Sequence, residues 1–460
     1  MEFKKNLPLI FAFSIFFIVG LFTVFHHEIQ RDEAQTWMMG IHVNLWQQHL
    51  DNYERTPLLW YSILHVVGKF THNVVYMQLL HFAIALVTAF LILFYSPFNK
   101  PIRIMMIFGY FFSFEFLAIS RNYAIGIMLI FLILALFKKR PIIAFVLNLL
   151  LANSNIIGTI ISVFLFILIF RTTDNKKLKI LLTAMFLLNL LAVAYIAYPK
   201  QPMWVSEIVL RFDVRQFGRP FAALMRAFVP IPELKIAFYD SLFLNQFSEY
   251  YSAIGGICFL LALLTLRRYR FPFLVFSIPI LLFNFFLSTI IRHSAYIFIL
   301  FIVCLWLELI ENKELLKVKW KKTFIILIIS LQILAAIIAV YYEERYNFSS
   351  GKDVADYIRE NNLSNKALVV SPFMPAAPIA AYLDKPVYGP NTNQTWFTIW
   401  AKDRYDYDAS IKVCDMLDRF KGGLLIISTG LNLNCTEKFD IIKRFEPSIF
   451  EEDFILANIK

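Results

Sequence analysis

The chain has 460 residues, 59% of them hydrophobic and only 17% charged, with a mean hydropathy of +0.63. A soluble domain averages about 45–50% apolar and about 25% charged residues, so an ordinary soluble enzyme is excluded and an integral membrane protein is expected. The net charge of +11 fits either a polyanionic partner or Lys and Arg that hold cytoplasmic loops in place; its distribution along the chain favours the second, and no nucleic-acid partner is expected.

The amino terminus, MEFKK followed by an apolar run over 7–25, has no small-residue cleavage site and reads as a retained first span. A long loop over 26–73 comes next, with two amphipathic stretches instead of a flexible polar linker. In the first, Trp37, Met38, Ile41, Leu45 and Trp46 recur at helical spacing, the pattern of a helix lying along the membrane with its apolar side down. The second opens at Thr56 and Pro57, where proline suits a first helical turn. Further spans are expected over 74–94, 103–120, 122–137, 141–153, 156–170, 180–198, 251–266, 272–290, 295–311 and 323–342, eleven in all. The pair 103–137 must turn, because one helix of that length would run about 50 Å against a hydrocarbon core of about 30 Å. In 141–170 the triplet Asn153, Ser154 and Asn155 marks a polar turn at one membrane face.

Charge sets the parity. With residue 1 cytoplasmic, the inner loops carry Lys4 and Lys5, Lys100 and Arg103, Lys138 to Arg140, Arg171 to Lys179, Arg267 to Arg270, and Lys313 to Lys322. All are basic, as the positive-inside rule requires. An odd span count then places 343–460 outside the cytoplasm. That segment holds 14 Lys and Arg against 17 Asp and Glu, net −3, whereas the remainder carries +14. Helical patterns over 350–362, with Ser350 as cap, and over 408–420, with short apolar strands in KALVVSP, KPVYG and GGLLIIS, predict a small α/β unit. The expected fold is an α-helical polytopic membrane protein of about eleven transmembrane helices, with interfacial helices in the first outer loop. It comprises a membrane domain over 1–342 and a small soluble extracytoplasmic α/β domain over 343–460, in a cell inner (plasma) membrane.

Polar residues collect on the outer side: Asp32 and Glu33, Glu54 and Arg55, Ser120 to Tyr123, Asn153 to Asn155, and Arg292 with His293. An acidic doublet alone is commonly a helix start, where the dipole favours acids; the neighbouring arginines raise its interest. A transporter usually keeps ionisable groups near the bilayer midplane, whereas these lie at one end. Glu115, His81 and Asn284 fall about two turns inside the outer ends of their spans, where they either line an outward cavity or make helix–helix hydrogen bonds. A carboxylate facing arginines beside a membrane suits a lipid phosphate, because guanidinium pairs with phosphate in two-pronged fashion and an Asp in that field can take a proton. No ATP-derived energy is available on that side, so a donor carried in the membrane is implied.

At these residues the sequence resembles the GT-C superfamily of membrane glycosyltransferases, in particular bacterial relatives of protein O-mannosyltransferases and of the aminoarabinose transferase that modifies lipid A. RDEAQTW at 31–37 and YERTPLLWY at 53–61 are similar to that superfamily's first outer loop; SRNYAIG at 120–126, LANSNIIG at 151–158, RHSAYIF at 292–298 and LDKPVYGPNTNQTWFTIW at 383–400 extend the similarity over most of the chain. The resemblance implies Asp32 as catalytic base with Glu33 as its acidic neighbour, and Arg55 at the basic position of a donor-binding Glu-Lys-Pro-Pro-like segment, in which arginine replaces lysine and Thr56 replaces one proline. It implies an inverting transfer from a polyprenyl-phosphate sugar to a glycan, lipid or protein acceptor, with membrane lipids as the surroundings. Arg55, Arg121, Arg292 and His293 would hold the donor phosphate, and Glu54, Tyr123, Asn153, Asn155 and Glu115 would line the cavity. The alternatives are a transporter or flippase of lipid-linked sugars, and a scaffold for which the acidic doublet is dispensable.

Other signals carry less. Asp406, Tyr407 and Asp408 spell a D-x-D pattern, but Asp408 suits an N-cap and nucleotide sugars are not supplied outside the cytoplasm. His26, His27, His42 and His49 lack the spacing of a helical zinc pair and read as surface or interface histidines; no metal cofactor is indicated, although a divalent ion is compatible with the chemistry. Cys414 and Cys435 fall where oxidation is available, and both a bond and a pair of buried thiols fit.

Overall fold

The computed structural model describes residues 2–44, 56–198, 214–286, 290–371, 376–389, 392–395, 409–431 and 433–460. The helices, in chain order, are α1 (Glu2–His26), α2 (Arg31–His42), α3 (Leu59–Gly68), α4 (Val75–Tyr95), α5 (Lys100–Ile107), α6 (Tyr123–Leu136), α7 (Pro141–Ala152), α8 (Ile156–Thr172), α9 (Lys176–Ala197), α10 (Arg219–Phe228), α11 (Ala253–Thr265), α12 (Arg270–Phe286), α13 (Ile291–Glu311), α14 (Lys319–Arg345), α15 (Gly351–Glu360), α16 (Ala377–Leu383) and α17 (Ala409–Leu417). Among the described residues, α1, α4, α9, α13 and α14 are long and apolar enough to cross a membrane; α6, α7, α8, α11 and α12 are shorter and equally apolar. Phe11, Ile18, Leu188, Leu191 and Phe271 stand more than half exposed on the outer faces of their helices. Such surfaces are untenable in water and natural in lipid, so the chain is a multi-pass membrane protein. Each expected span has a helical counterpart, but the third is broken. α5 stops at Ile107, and after Gly109 a π-turn over Phe111–Glu115 continues the path. A π-turn inserts one residue and rotates the backbone beyond it, which brings Glu115 inside the bundle.

α13 is the central post, buried along nearly its whole length. Arg292 lies in its first turn. At its far end Glu308 accepts from the backbone N–H groups of Arg267, Arg268 and Tyr269 at 3.2, 2.9 and 3.2 Å, and Lys321 donates to the carbonyl of Thr265 at 2.7 Å. Sixteen residues of helix separate Arg292 from Glu308, about 24 Å. The basic clusters at 267–270 and 319–322 therefore sit across the bundle from Arg292. α10 has no counterpart among the sequence-based expectations. Its apolar face packs on α11 and α13, and Gly255 permits that crossing, since a Cβ there would stand 2.2 Å from the backbone nitrogen of Met225.

The first loop differs from the interfacial arrangement expected. In α2 every residue from Glu33 to Gly40 is buried, because the helix is covered by α3 on one side and by α16 on the other. Gly40 lies directly against Leu64, and the buried Trp37 donates its Nε1–H to the carbonyl of His72 at 3.3 Å. Trp37 and Met38 are thus core residues; Leu45, Trp46 and His49 fall outside the described residues. The second helix starts at Leu59, two residues beyond the expected proline.

The carboxyl-terminal segment builds a six-stranded sheet in the order β3-β2-β1-β4-β6-β5. The strands are β1 (Leu368–Ser371), β2 (Val387–Gly389), β3 (Thr392–Thr395), β4 (Leu424–Ser428), β5 (Phe439–Phe445) and β6 (Phe454–Ile459). β2, β1 and β4 run parallel, with Leu368 opposite Leu424; the outer strands are antiparallel. Alternation assigns the two faces. Leu368, Val370, Leu424 and Ile426 join the core that runs through α15 and α16 into the bundle, whereas Val369, Leu425 and Ile427 pack with Val413 and Leu417 of α17. Cys414 and Cys435 form a disulfide. Ser350 stands at the N-cap of α15 without a side-chain capping bond. The D-x-D triplet at 406–408 lies outside the described residues.

Candidate functional site at the head of α2

α2 begins where the chain leaves α1, and its start is fixed by a capping box. The Gln30 side chain accepts from the backbone nitrogen of Asp32 at 2.7 Å, and Glu33 Oε2 accepts from the backbone nitrogen of Gln30 at 3.1 Å. Glu33 also accepts from the backbone N–H of Ser120 at 2.5 Å and pairs with His27 Nε2 at 3.0 Å. His27 Nδ1 meets Glu343 Oε1 at 2.7 Å. Burial alone would lower the His27 pKa, but the carboxylates of Glu33 and Glu343 on either side outweigh it and raise it well above the ordinary value. Glu33 has no side-chain exposure and its oxygens are committed to this network, which braces the head of α2. Q-x-x-E at 30–33 was the legible signal for that role.

Asp32 turns the other way. Its Oδ2 accepts from Arg292 Nη2 at 3.0 Å, and its side chain keeps 20% of its surface open. Burial would raise its pKa, but Arg121, Arg292 and Arg31 together hold it below the usual carboxylate value. Asp32 is therefore ionised at neutral pH. Arg121 donates to the Asp32 carbonyl and, at 2.6 Å, to Thr36 Oγ1, which pins the first turn of α2 to the segment before α6. Arg292 is nearly fully buried, yet its Nε and Nη1 have no hydrogen-bond partner among the described residues. Buried charged donors left unpaired are costly, so the pair has capacity for an anion.

Of the other candidates, His293 Nε2 meets the Tyr123 hydroxyl at 2.8 Å. Asn155 caps α8 through Gly158 N at 2.8 Å and donates to the Tyr296 hydroxyl, also at 2.8 Å; Asn153 donates to Asn189 Oδ1 at 2.8 Å. Both asparagines hold turns. Glu115 Oε1 accepts from the Tyr239 hydroxyl at 3.0 Å, while its Oε2 has no partner among the described residues. His81 and Asn284 make interhelical bonds, to the carbonyl of Leu117 at 3.1 Å and with Ser294 at 3.3 Å. Glu54 and Arg55 lie outside the described residues.

Two contributors carried no sequence motif. Asp240 accepts from Arg226 Nε at 3.0 Å and from the backbone nitrogen of Ile291 at 2.8 Å, bracing the residue next to Arg292. Glu452, far along the chain, accepts from the backbone nitrogen of Arg31 at 3.0 Å, and burial pushes its carboxyl up to about 8. The division of labour in the doublet is testable. Glu33→Gln places an N–H₂ where the buried cage supplies donors, and is expected to cost about 1–3 kcal/mol of stability, read as a lowered thermal midpoint of the purified protein. Asp32→Asn leaves the cap bonds intact, and a lowered midpoint there reports the buried Arg292 left without its counter-charge.

No family model and no curated protein matches the chain. Among solved structures it is similar to ArnT from Cupriavidus metallidurans in the apo state, at 11% identity and a TM-score of 0.51, with 99% of this chain and 98% of that one covered. The likeness therefore spans membrane helices and carboxyl-terminal unit together, and the chain shares the overall fold of that ArnT structure.

Proposed function

We propose that the protein transfers a sugar from a polyprenyl-phosphate donor to an acceptor at the membrane face that carries α2. The observation that carries this reading is the Asp32–Arg292 pair: an ionised carboxylate with open surface, held by a buried guanidinium that has two further donors to offer. A sugar phosphodiester supplies the anion that Arg292 can take, and the likeness in fold to ArnT agrees with a membrane-borne donor.

In the proposed step an acceptor hydroxyl or amine attacks the anomeric carbon from the side opposite the phosphate. The carbon–oxygen bond to phosphate breaks with its electron pair leaving on the phosphate oxygen, the new glycosidic bond forms, and the acceptor proton passes to Asp32. Arg292 and Arg121 offset the charge that grows on the departing phosphate. Donor binding draws Arg292 towards the phosphate and loosens its hold on Asp32, which raises the basicity of that carboxylate when it is needed. Because the basic clusters at 267–270 and 319–322 lie across the bundle, the positive-inside rule assigns the α2 face to the extracytoplasmic side.

The test compares envelope glycolipids, glycans and proteins by mass spectrometry in cells with and without the gene, and follows purified protein given a labelled polyprenyl-phosphate sugar. A glycoconjugate that loses one sugar residue in the deleted strain, with release of polyprenyl phosphate by the purified chain, is the expected result. Movement of labelled lipid between leaflets with no new glycosidic bond would overturn it.

A further inference from the structure

His42 at the end of α2, His72 in the turn before α4, and Asp384 in the turn after α16 come from three distant parts of the chain and meet at one point. His42 Nε2 stands 3.3 Å from Asp384 Oδ1, and His72 Nδ1 stands 3.0 Å from Asp384 Oδ2. One nitrogen from each ring and one carboxylate oxygen all lie within 4.8 Å of one another. The imidazoles are edge to face, with centroids 5.2 Å apart, so both direct a nitrogen at the carboxylate without stacking.

We propose that His42, His72 and Asp384 form a binding site for one divalent cation of the zinc class, which clamps the carboxyl-terminal α/β unit onto the α2–α3 layer. Zinc binds histidine nitrogen at about 2.0–2.1 Å and carboxylate oxygen at about 2.0–2.2 Å, so a tetrahedral ion holds its ligand atoms roughly 3.3–3.5 Å apart. The two nitrogen–oxygen separations, 3.3 Å to Oδ1 and 3.0 Å to Oδ2, lie near that spacing, and a small rotation of Asp384 aims one oxygen between the rings. Two imidazoles with one carboxylate suit zinc far better than calcium or magnesium, which prefer oxygen alone. Protein supplies three ligands; the side-chain exposures of His72 and Asp384, 46% and 41%, leave a fourth position open to water.

The supports of the site are tied into the core. His72 is held through its carbonyl, which accepts from the buried Trp37. The turn that carries His42 is anchored by Ile41, packed directly on Gly68 of α3. An ion here bridges α2, whose first turn carries Asp32, to the sheet unit, and so stiffens the layer over the candidate site from its opposite end. The clamp does not depend on the proposed transfer reaction, and either inference can fail without the other.

The experiment uses the full-length protein in detergent, stripped with chelator, dialysed and titrated with zinc chloride while bound metal is counted by mass spectrometry and unfolding is followed by heating. Saturable binding of one ion per chain, with a rise in thermal midpoint as zinc is added, is expected. Because disturbing even an outer-shell partner of a zinc site costs about 10- to 100-fold in affinity, loss of a ligand in Asp384→Asn or His72→Gln is expected to weaken binding by about 100-fold or more and to abolish the thermal shift. His72→Gln alters an exposed side chain and stands alone if Asp384→Asn fails to fold. Absence of saturable binding overturns the proposal, as does binding of undiminished affinity in the variants, which would mean surface histidines only.

Discussion

Asp32→Asn is expected to lower transfer per folded molecule by about 10² to 10⁴, the usual contribution of a positioned base, with the cap and anchoring bonds at the head of α2 kept. The separation of these effects comes from where the bonds at the head of α2 are made. The cap is built from Gln30 and Glu33, and the helix is pinned to the bundle through the Asp32 carbonyl and Thr36; none of these uses the Asp32 carboxylate. Asparagine keeps an oxygen for Arg292 but removes both the negative charge that faces the buried guanidinium and the capacity to accept a proton, so turnover is compared per folded molecule. The decisive measurement pairs turnover with binding of a labelled polyprenyl-phosphate sugar. Near-normal turnover with unchanged donor binding would reduce Asp32 to a helix-start residue and end the mechanism proposed here.

Much of this arrangement was legible in the sequence, for reasons that differ between parts of the chain. The spans could be read because lipid leaves little choice of composition over some twenty residues, and the strands β1, β2 and β4 because parallel strands buried on both faces are short apolar runs. β5 escaped notice since it is an edge strand with mostly exposed residues between Phe439 and Phe445, a pattern with no clean alternation. α2 was misplaced for a related reason. Amphipathic periodicity states that one face is apolar; it does not state what covers the other, and here α16 and Glu452 arrive from more than 300 residues away. Asp32, Arg121 and Arg292 were visible as charges that a membrane protein gathers at one end. Asp240 and the His42–His72–Asp384 cluster were not, because their meaning lies in long-range contacts that local spacing does not encode.

Replacing Arg292 should cost about 10² to 10³ in kcat for Arg292→Ala, the range found when one preorganised donor to a developing oxyanion is lost, with Arg292→Lys recovering part of it. A lysine restores a point charge but not the flat fork, whose Nη2 reaches Asp32 while Nε and Nη1 stay available. The loss should fall mainly on kcat. The donor phosphodiester carries one negative charge and the departing polyprenyl phosphate gains a second, so the guanidinium binds the transition state more strongly than the ground state. The pH profile supplies an independent sign. Arg292 is one of three arginines that keep the Asp32 pKa below its ordinary value, and transfer needs the ionised form. Activity should therefore be retained to lower pH in the native protein, and in Arg292→Ala the acid limb of kcat/KM, which reports the free protein, should move to higher pH, with Arg292→Lys between them. A native kcat would show that the guanidinium does not meet the phosphate, and an acid limb that stays in place would show that it does not set the charge of Asp32; both together would leave the pair a structural brace between α2 and α13.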